Sequence, residues 1–222
     1  MARLCLRPDI GFCRFDGATI ILDTAADRYW QADDDLGSAL DAARAAGAID
    51  AGHEAALRLT ELGLATPEHR AEQSIANPLP PPPEESVVET GAGELHDALA
   101  AEICALSLWW RAMVRARPLR RNLDIITRRR TMLFDAAPRD DVRIRALALT
   151  FRRWRRVVPL KPLCLPDSLA LSAFLLRHGH RAQLVFGVEA HPFSAHCWVQ
   201  QGPLVLNDAL GHVELFRPIL AV

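Results

Sequence analysis

Apolar and polar residues alternate along three short runs near the start of the chain, "GFCRF", "ATIILD" and "RYWQA". A period of two puts successive side chains on opposite faces of a strand. The first two runs flank Asp16-Gly17, a dipeptide suited to the positive φ angles of a tight hairpin turn. The period then lengthens to three and four residues. Asp33 to Asp35 can cap a helix running to about Ala46, with Gly47 as its stop. Asp50 can cap a second, in which Ala55, Leu59 and Leu62 share one face and Gly63 ends the run. Together these elements predict a small three-stranded sheet with helices packed on it.

The stretch "NPLPPPPEESVVETGAG" (77–93) breaks every period. Four consecutive prolines favour extended geometry, and the acidic and glycine residues offer little to bury. This composition predicts a linker over 71–93, between a domain at 1–70 and another at 94–222. Helical spacing returns at Leu95, Leu99, Ile103, Leu106, Trp110 and Met113. After Pro118, "LRRNLDIITRRR" and "RDDVRIRALALTFRRWRRVV" continue it. "KPLCLPDSLALSAFLLRHGH" predicts a loop entering a helix over 166–178, with Pro166 in its first turn and Gly179 as C-cap. "RAQLVFGVEA", "FSAHCWVQ" and "PLVLND" then predict antiparallel strands, the last two joined by a tight "QGP" turn. The fold class is α+β, and no internal repeat is evident.

Half of the 222 residues are apolar and 24% are charged, as in an ordinary soluble globular protein. No apolar run approaches the ~20 residues that span a bilayer, so no membrane partner is expected. The start, "MARLCLRPDIGFC", lacks the apolar core of a secretory signal. Five scattered cysteines without close-paired metal spacing suggest free thiols in a reducing compartment, which makes the cytoplasm the expected location. Charge is uneven: residues 1–110 carry 7 Arg, no Lys and 19 Asp plus Glu, whereas 111–156 carry 15 Arg against 4 Asp. The arginine-dense middle suits docking of a partner, either the acidic front of the chain or a second protein. Phosphate contacts with a nucleic acid, aided by Trp109, Trp110 and Trp154, are the alternative. Arginine is also a good helix former that turns readily to solvent, and nucleic acid is therefore not the expected partner.

One group of residues points to catalysis. Cys164 stands at the mouth of the apolar helix, where unpaired N–H groups and the helix dipole favour thiolate. A cysteine nucleophile needs a base within reach and a third group to orient it. His196 lies within one predicted strand and Asp208 ends the next, and a turn at 201–203 sets them roughly opposite each other. Taken singly, a buried cysteine is more often a small hydrophobe and a strand histidine a packed one; the order helix-Cys, strand-His, strand-Asp is what argues for a nucleophile, a base and an orienting carboxylate. A zinc site from His178, His180, His191 and Cys197 is disfavoured because the first two straddle a helix stop. No metal is expected, and Cys197, next to His196, should face away from the base and pack.

The stretches "CLPDSLALSAFLLRHGHRAQLVFGV", "HPFSAHCWVQ" and "LND" resemble the B proteins of lasso peptide biosynthesis, which are transglutaminase-like cysteine peptidases. The pattern C-L-x-x-S-L-A, F-x-A-H-x-W-V and N-D is matched at Cys164–Ala170, Phe193–Val199 and Asn207–Asp208. Asp167 departs from it, since the family often has Arg there. The resemblance covers about 95–222 and implies that Cys164, His196 and Asp208 act as nucleophile, base and orienting carboxylate. It implies leader-peptide cleavage from a ribosomally made precursor, with the core passed to an asparagine-synthetase-like lasso cyclase. No Gly-rich phosphate loop is present, so no cofactor is expected and any ATP is consumed by that partner. A carrier or acyl transferase of the same fold is the alternative, because both chemistries share a thioester.

The first domain, through "DGATIILDTAADRYWQAD", resembles the winged-helix-like leader-recognition element typified by the small chaperone of pyrroloquinoline quinone biosynthesis. It has two predicted helices where that module commonly has three. The resemblance implies that a leader adds as a strand beside Arg28, Tyr29, Trp30 and Gln31, with apolar side chains near Leu59 and Leu62.

Overall fold

The computed structural model describes residues 3–51, 54–67, 78–90, 97–133 and 140–222. The chain forms two compact units, Met1–Asn77 and Pro78–Val222. Leu95 and the linker residues 71–77 and 91–93 lie outside the described residues.

In the first unit, strands β1 (Arg3–Leu6), β2 (Ile10–Phe15), β3 (Ala18–Asp23) and β4 (Arg28–Ala32) precede helix α1 (Asp34–Ala46). Strand β5 (Ile49–Asp50), helix α2 (Glu54–Glu61) and strand β6 (Ala65–Pro67) follow. The expected meander forms as β2-β3-β4, with Phe15 opposite Ala18 across the two-residue turn. Gly17 takes φ 75°, the left-handed geometry that this turn requires. Asp33 caps α1 by accepting from the Leu36 N–H at 2.8 Å. Ile10, Phe12, Ile21, Leu36, Leu40 and Leu59 build the core from the sheet and both helices.

Asp50 ends β5, opposite Arg3, and the expected start of α2 at 52–53 lies outside the described residues. A second three-stranded sheet, β5-β1-β6, was not visible in the pattern because its strands are two to four residues long and pair across large separations.

The second unit opens with an extended proline strap. Strand β7 (Glu85–Ser86) and the short helix α3 (Val87–Thr90) follow. A 3-10 turn at Asp97–Leu99 leads into α4 (Ala100–Ala116), and then α5 (Leu119–Met132), α6 (Asp141–Arg155) and α7 (Cys164–Arg177). Strands β8 (Gln183–Glu189), β9 (Ser194–Gln201) and β10 (Leu204–Val205), helix α8 (Leu210–Val213) and strand β11 (Arg217–Ala221) complete it. The sheet order is β11-β8-β9-β10-β7, antiparallel except for the β10–β7 pair.

Helix α7 is buried from Ser168 to Leu176, so it is the central rod on which the sheet and helices α4 to α6 pack. That burial explains its apolar circumference. It begins at Cys164, two residues earlier than the apolar run suggests. The described part of the supposed linker, 78–90, is structured. Glu84 and Glu85 N–H groups donate to Pro203 O, Ser86 pairs with Val205, and Val87 is buried. Composition hides this because the strand is only two residues long and its partner lies more than a hundred residues away. No helix among the described residues is long and apolar enough to cross a membrane.

Candidate active site

Helix α7 presents Cys164 in its first turn, solvent-exposed, where backbone N–H groups point outward. The loop before it is clamped from behind. Arg155 Nε donates to Asp167 Oδ1 at 2.7 Å, and its other nitrogens reach the carbonyls of Leu160 and Lys161. Asp167 Oδ2 in turn accepts from Leu163 N–H at 3.2 Å. Asp167 thus ties the first turn of α7 back to Leu163, the residue from which the helix starts, and to Arg155.

Strand β9 carries His196 alongside. Its Nε2 meets Asp208 Oδ2 at 2.5 Å. The predicted register is realised differently from a simple ladder. Strand β10 stops at Val205, and Asn207 Oδ1 takes the next place by accepting from Val199 N–H at 2.8 Å. Asn207 Nδ2 donates to the fully buried Ser168 Oγ at 2.9 Å, and Ser168 donates to Cys197 O at 3.2 Å. One side-chain relay thus ties α7, β9 and the Asp208 turn together.

The imidazole sits in an aromatic frame. Trp198 stacks at 6.1 Å, Phe216 lies at 5.1 Å and His212 at 4.7 Å between ring centroids. Gly187, opposite His196 across the β8–β9 pair, makes this possible. A Cβ there would stand 2.7 Å from the Trp198 ring and 2.8 Å from Phe216 Cβ, closer than carbon atoms pack. A cavity of about 300 Å³ continues from Trp198 and Phe216 beneath the proline strap.

Electrostatics follow from these contacts. Cys164 is lowered to about 4, first by the S–H of Cys197 donating to it, against the opposing effect of burial, then by the bond to and charge of His196 and the Cys197 N–H. Burial works against a charged His196, but hydrogen bonds to Asp208 and Cys164 overcome it and raise the imidazole to about 9. Burial likewise opposes the Asp208 charge; bonds from His196, His212 and the Ala209 N–H still hold it below the usual carboxylate range. Cys197 is pushed well above the ordinary thiol value, chiefly because its proton is committed to Cys164, and it stays neutral. The result is a thiolate beside an imidazolium backed by a carboxylate, the arrangement required for attack on an acyl carbon.

Cys164, His196 and Asp208, the three residues expected to meet, are brought together. Cys197 is buried, 2% exposed, as expected, and it also favours the thiolate form of Cys164. His212 was missed altogether; its Nδ1 contacts the same Asp208 oxygen at 2.9 Å, and the i,i+4 spacing from Asp208 is the signal that could have found it. Donor atoms of His196, Asp208 and His212 lie within 4.8 Å of one another, a spacing explained by two imidazoles sharing one carboxylate. Of the four residues weighed for a zinc site, His178 contacts Glu102 at 3.2 Å and Cys197 is buried on β9.

In the first unit, Arg28, Tyr29, Trp30 and Gln31 lie on β4, an outer strand of its sheet. Trp30 packs on the core and Leu59 is wholly buried within it, so Leu59 lines no open groove. Leu62 is 45% exposed.

Comparison with curated proteins and with solved structures gave no match. A family model, the transglutaminase-like superfamily, matches residues 105–221, more than half of the chain and all three residues of the triad. With an exposed cysteine at a helix start, a strand histidine and a carboxylate in contact, the chain belongs to the transglutaminase-like superfamily, which includes cysteine peptidase-type enzymes.

Proposed function

We propose that this protein is a leader peptidase that cuts a ribosomally made lasso precursor between leader and core. The observation that carries the proposal is the Cys164 thiolate held against His196 and Asp208 at an exposed helix mouth. Cys164 attacks the last leader carbonyl, His196 passes its proton to the departing amine of the core, and water resolves the thioester. The Cys164 N–H, at the start of α7, is suited to the developing oxyanion. Strand β4 stands at the border of the β2-β3-β4 sheet, where an extended leader can add by backbone pairing, as in a winged-helix-like recognition element. The freed core then goes to an ATP-using, asparagine-synthetase-like cyclase, and the arginine-rich helices α5 and α6 supply a basic surface for that partner.

The test is incubation with leader–core peptides encoded near this gene, read by mass spectrometry. The expected product is a free leader fragment with one added water. Cys164→Ala should abolish cleavage and leave leader binding to the first unit intact. A leader joined to an added amine instead of water would identify acyl transfer, and cleavage by Cys164→Ala would refute the nucleophile.

A further inference from the structure

The Asp208 turn is held from two sides, by α7 and β9 on one and by β7 and α3 on the other. On the inner side, Asn207 is tied to Ser168 and to β9. On the outer side stands the segment that reads as a linker. Ser86 Oγ donates to Asp208 O at 2.5 Å and accepts from Val88 N–H at 3.1 Å, so its single proton is committed to the turn. Glu89 Oε1 accepts from Leu210 N–H at 3.1 Å, two residues further on. The segment is itself anchored at several points. Gln200 Nε2 donates to Pro81 O at 2.8 Å, Glu84 and Glu85 N–H donate to Pro203 O, and Arg145 pairs with Glu85 at 2.6 Å.

These bonds meet at a gap in the sheet. Beyond Val205 the strand keeps one backbone bond to β9, from Leu206 N–H to Val199 O at 2.9 Å, and the backbone carbonyl of Asp208 takes its bond from Ser86. Ser86 is 1% exposed, so its hydroxyl has no exchange with water to fall back on. A serine needed only for packing would not have to reach residue 208. We infer that Ser86 and Glu89 are positioning residues for the catalytic carboxylate, and that the β7–α3 segment near the start of the second unit is thereby part of the catalytic apparatus.

The inference rests on the proposed triad, and the test separates the two. Iodoacetamide labelling of Cys164 in the full-length chain, followed by site-resolved mass spectrometry from pH 3.5 to 10, needs no substrate. His196→Ala checks the triad; an unmoved labelling profile in that variant would overturn the triad itself. If His196→Ala raises the pH of the acid limb, Ser86→Ala should move it the same way, with labelling near pH 5 about fivefold slower. Glu89→Ala should act similarly, whereas Glu89→Gln, whose side-chain oxygen still accepts from Leu210, should restore the parent profile. Acid limbs unmoved in both Ser86→Ala and Glu89→Ala overturn the inference alone. Should Ser86→Ala fail to fold, the Glu89 pair decides it.

Discussion

At the scale of single residues, reactivity is set by which proton sits where. Cys197 keeps its proton and lends it to Cys164, while His196 keeps a proton because Asp208 and the thiolate both favour it. The signs work in opposite directions. The thiolate persists above about pH 4, and the imidazolium persists below about pH 9. Turnover should therefore form a broad plateau between those limits, falling as thiolate is lost on the acid side and as the proton needed by the leaving amine is lost on the basic side. Steady-state rates on a leader–core peptide across that range check this. Replacing Cys197 with Ala removes the neighbour that most favours the thiolate. Its acid limb should shift upward, while the basic limb, governed by His196 and Asp208, should move less.

At the scale of elements, the decisive piece is the mouth of α7. Arg155, 8% exposed, spreads its guanidinium over Asp167 and two loop carbonyls, and so fixes the direction from which Cys164 enters the helix. Arg155→Ala strands a half-buried carboxylate and should cost about 3 kcal/mol of stability, measured by chemical denaturation. Arg155→Lys restores charge but not the planar fork, and should fall between the two. None of this was legible in the sequence, because Arg155 looks like one of fifteen arginines and Asp167 like a deviation. The helix and the strands β8 and β9 were legible, since their periods are long and regular. Alternation along β9 also correctly set Cys197 apart from His196, but it carries no information about what approaches from the neighbouring helix. That is why the influence of the Cys197 thiol on the nucleophile was not foreseen. Asp208 was readable as the end of a strand, whereas the broken ladder and the Asn207 relay that bring it to His196 were not.

At the scale of the whole chain, the two compact units divide at Asn77 and Pro78, so the prolines and the residues that follow them belong to the second one. A two-residue strand whose partner comes over a hundred positions later leaves no local pattern to read. Its place in the sheet has a further effect. Strand β10 is flanked by β9 on one side and closed by β7 on the other. A chain begun at residue 91 would leave that border with bare amide and carbonyl groups, a template for pairing with another molecule. Such a truncation should self-associate in light scattering, while one begun at Pro78 should remain monodisperse. The same few residues that end the proline run thus also guard the molecule against sticking to its own copies.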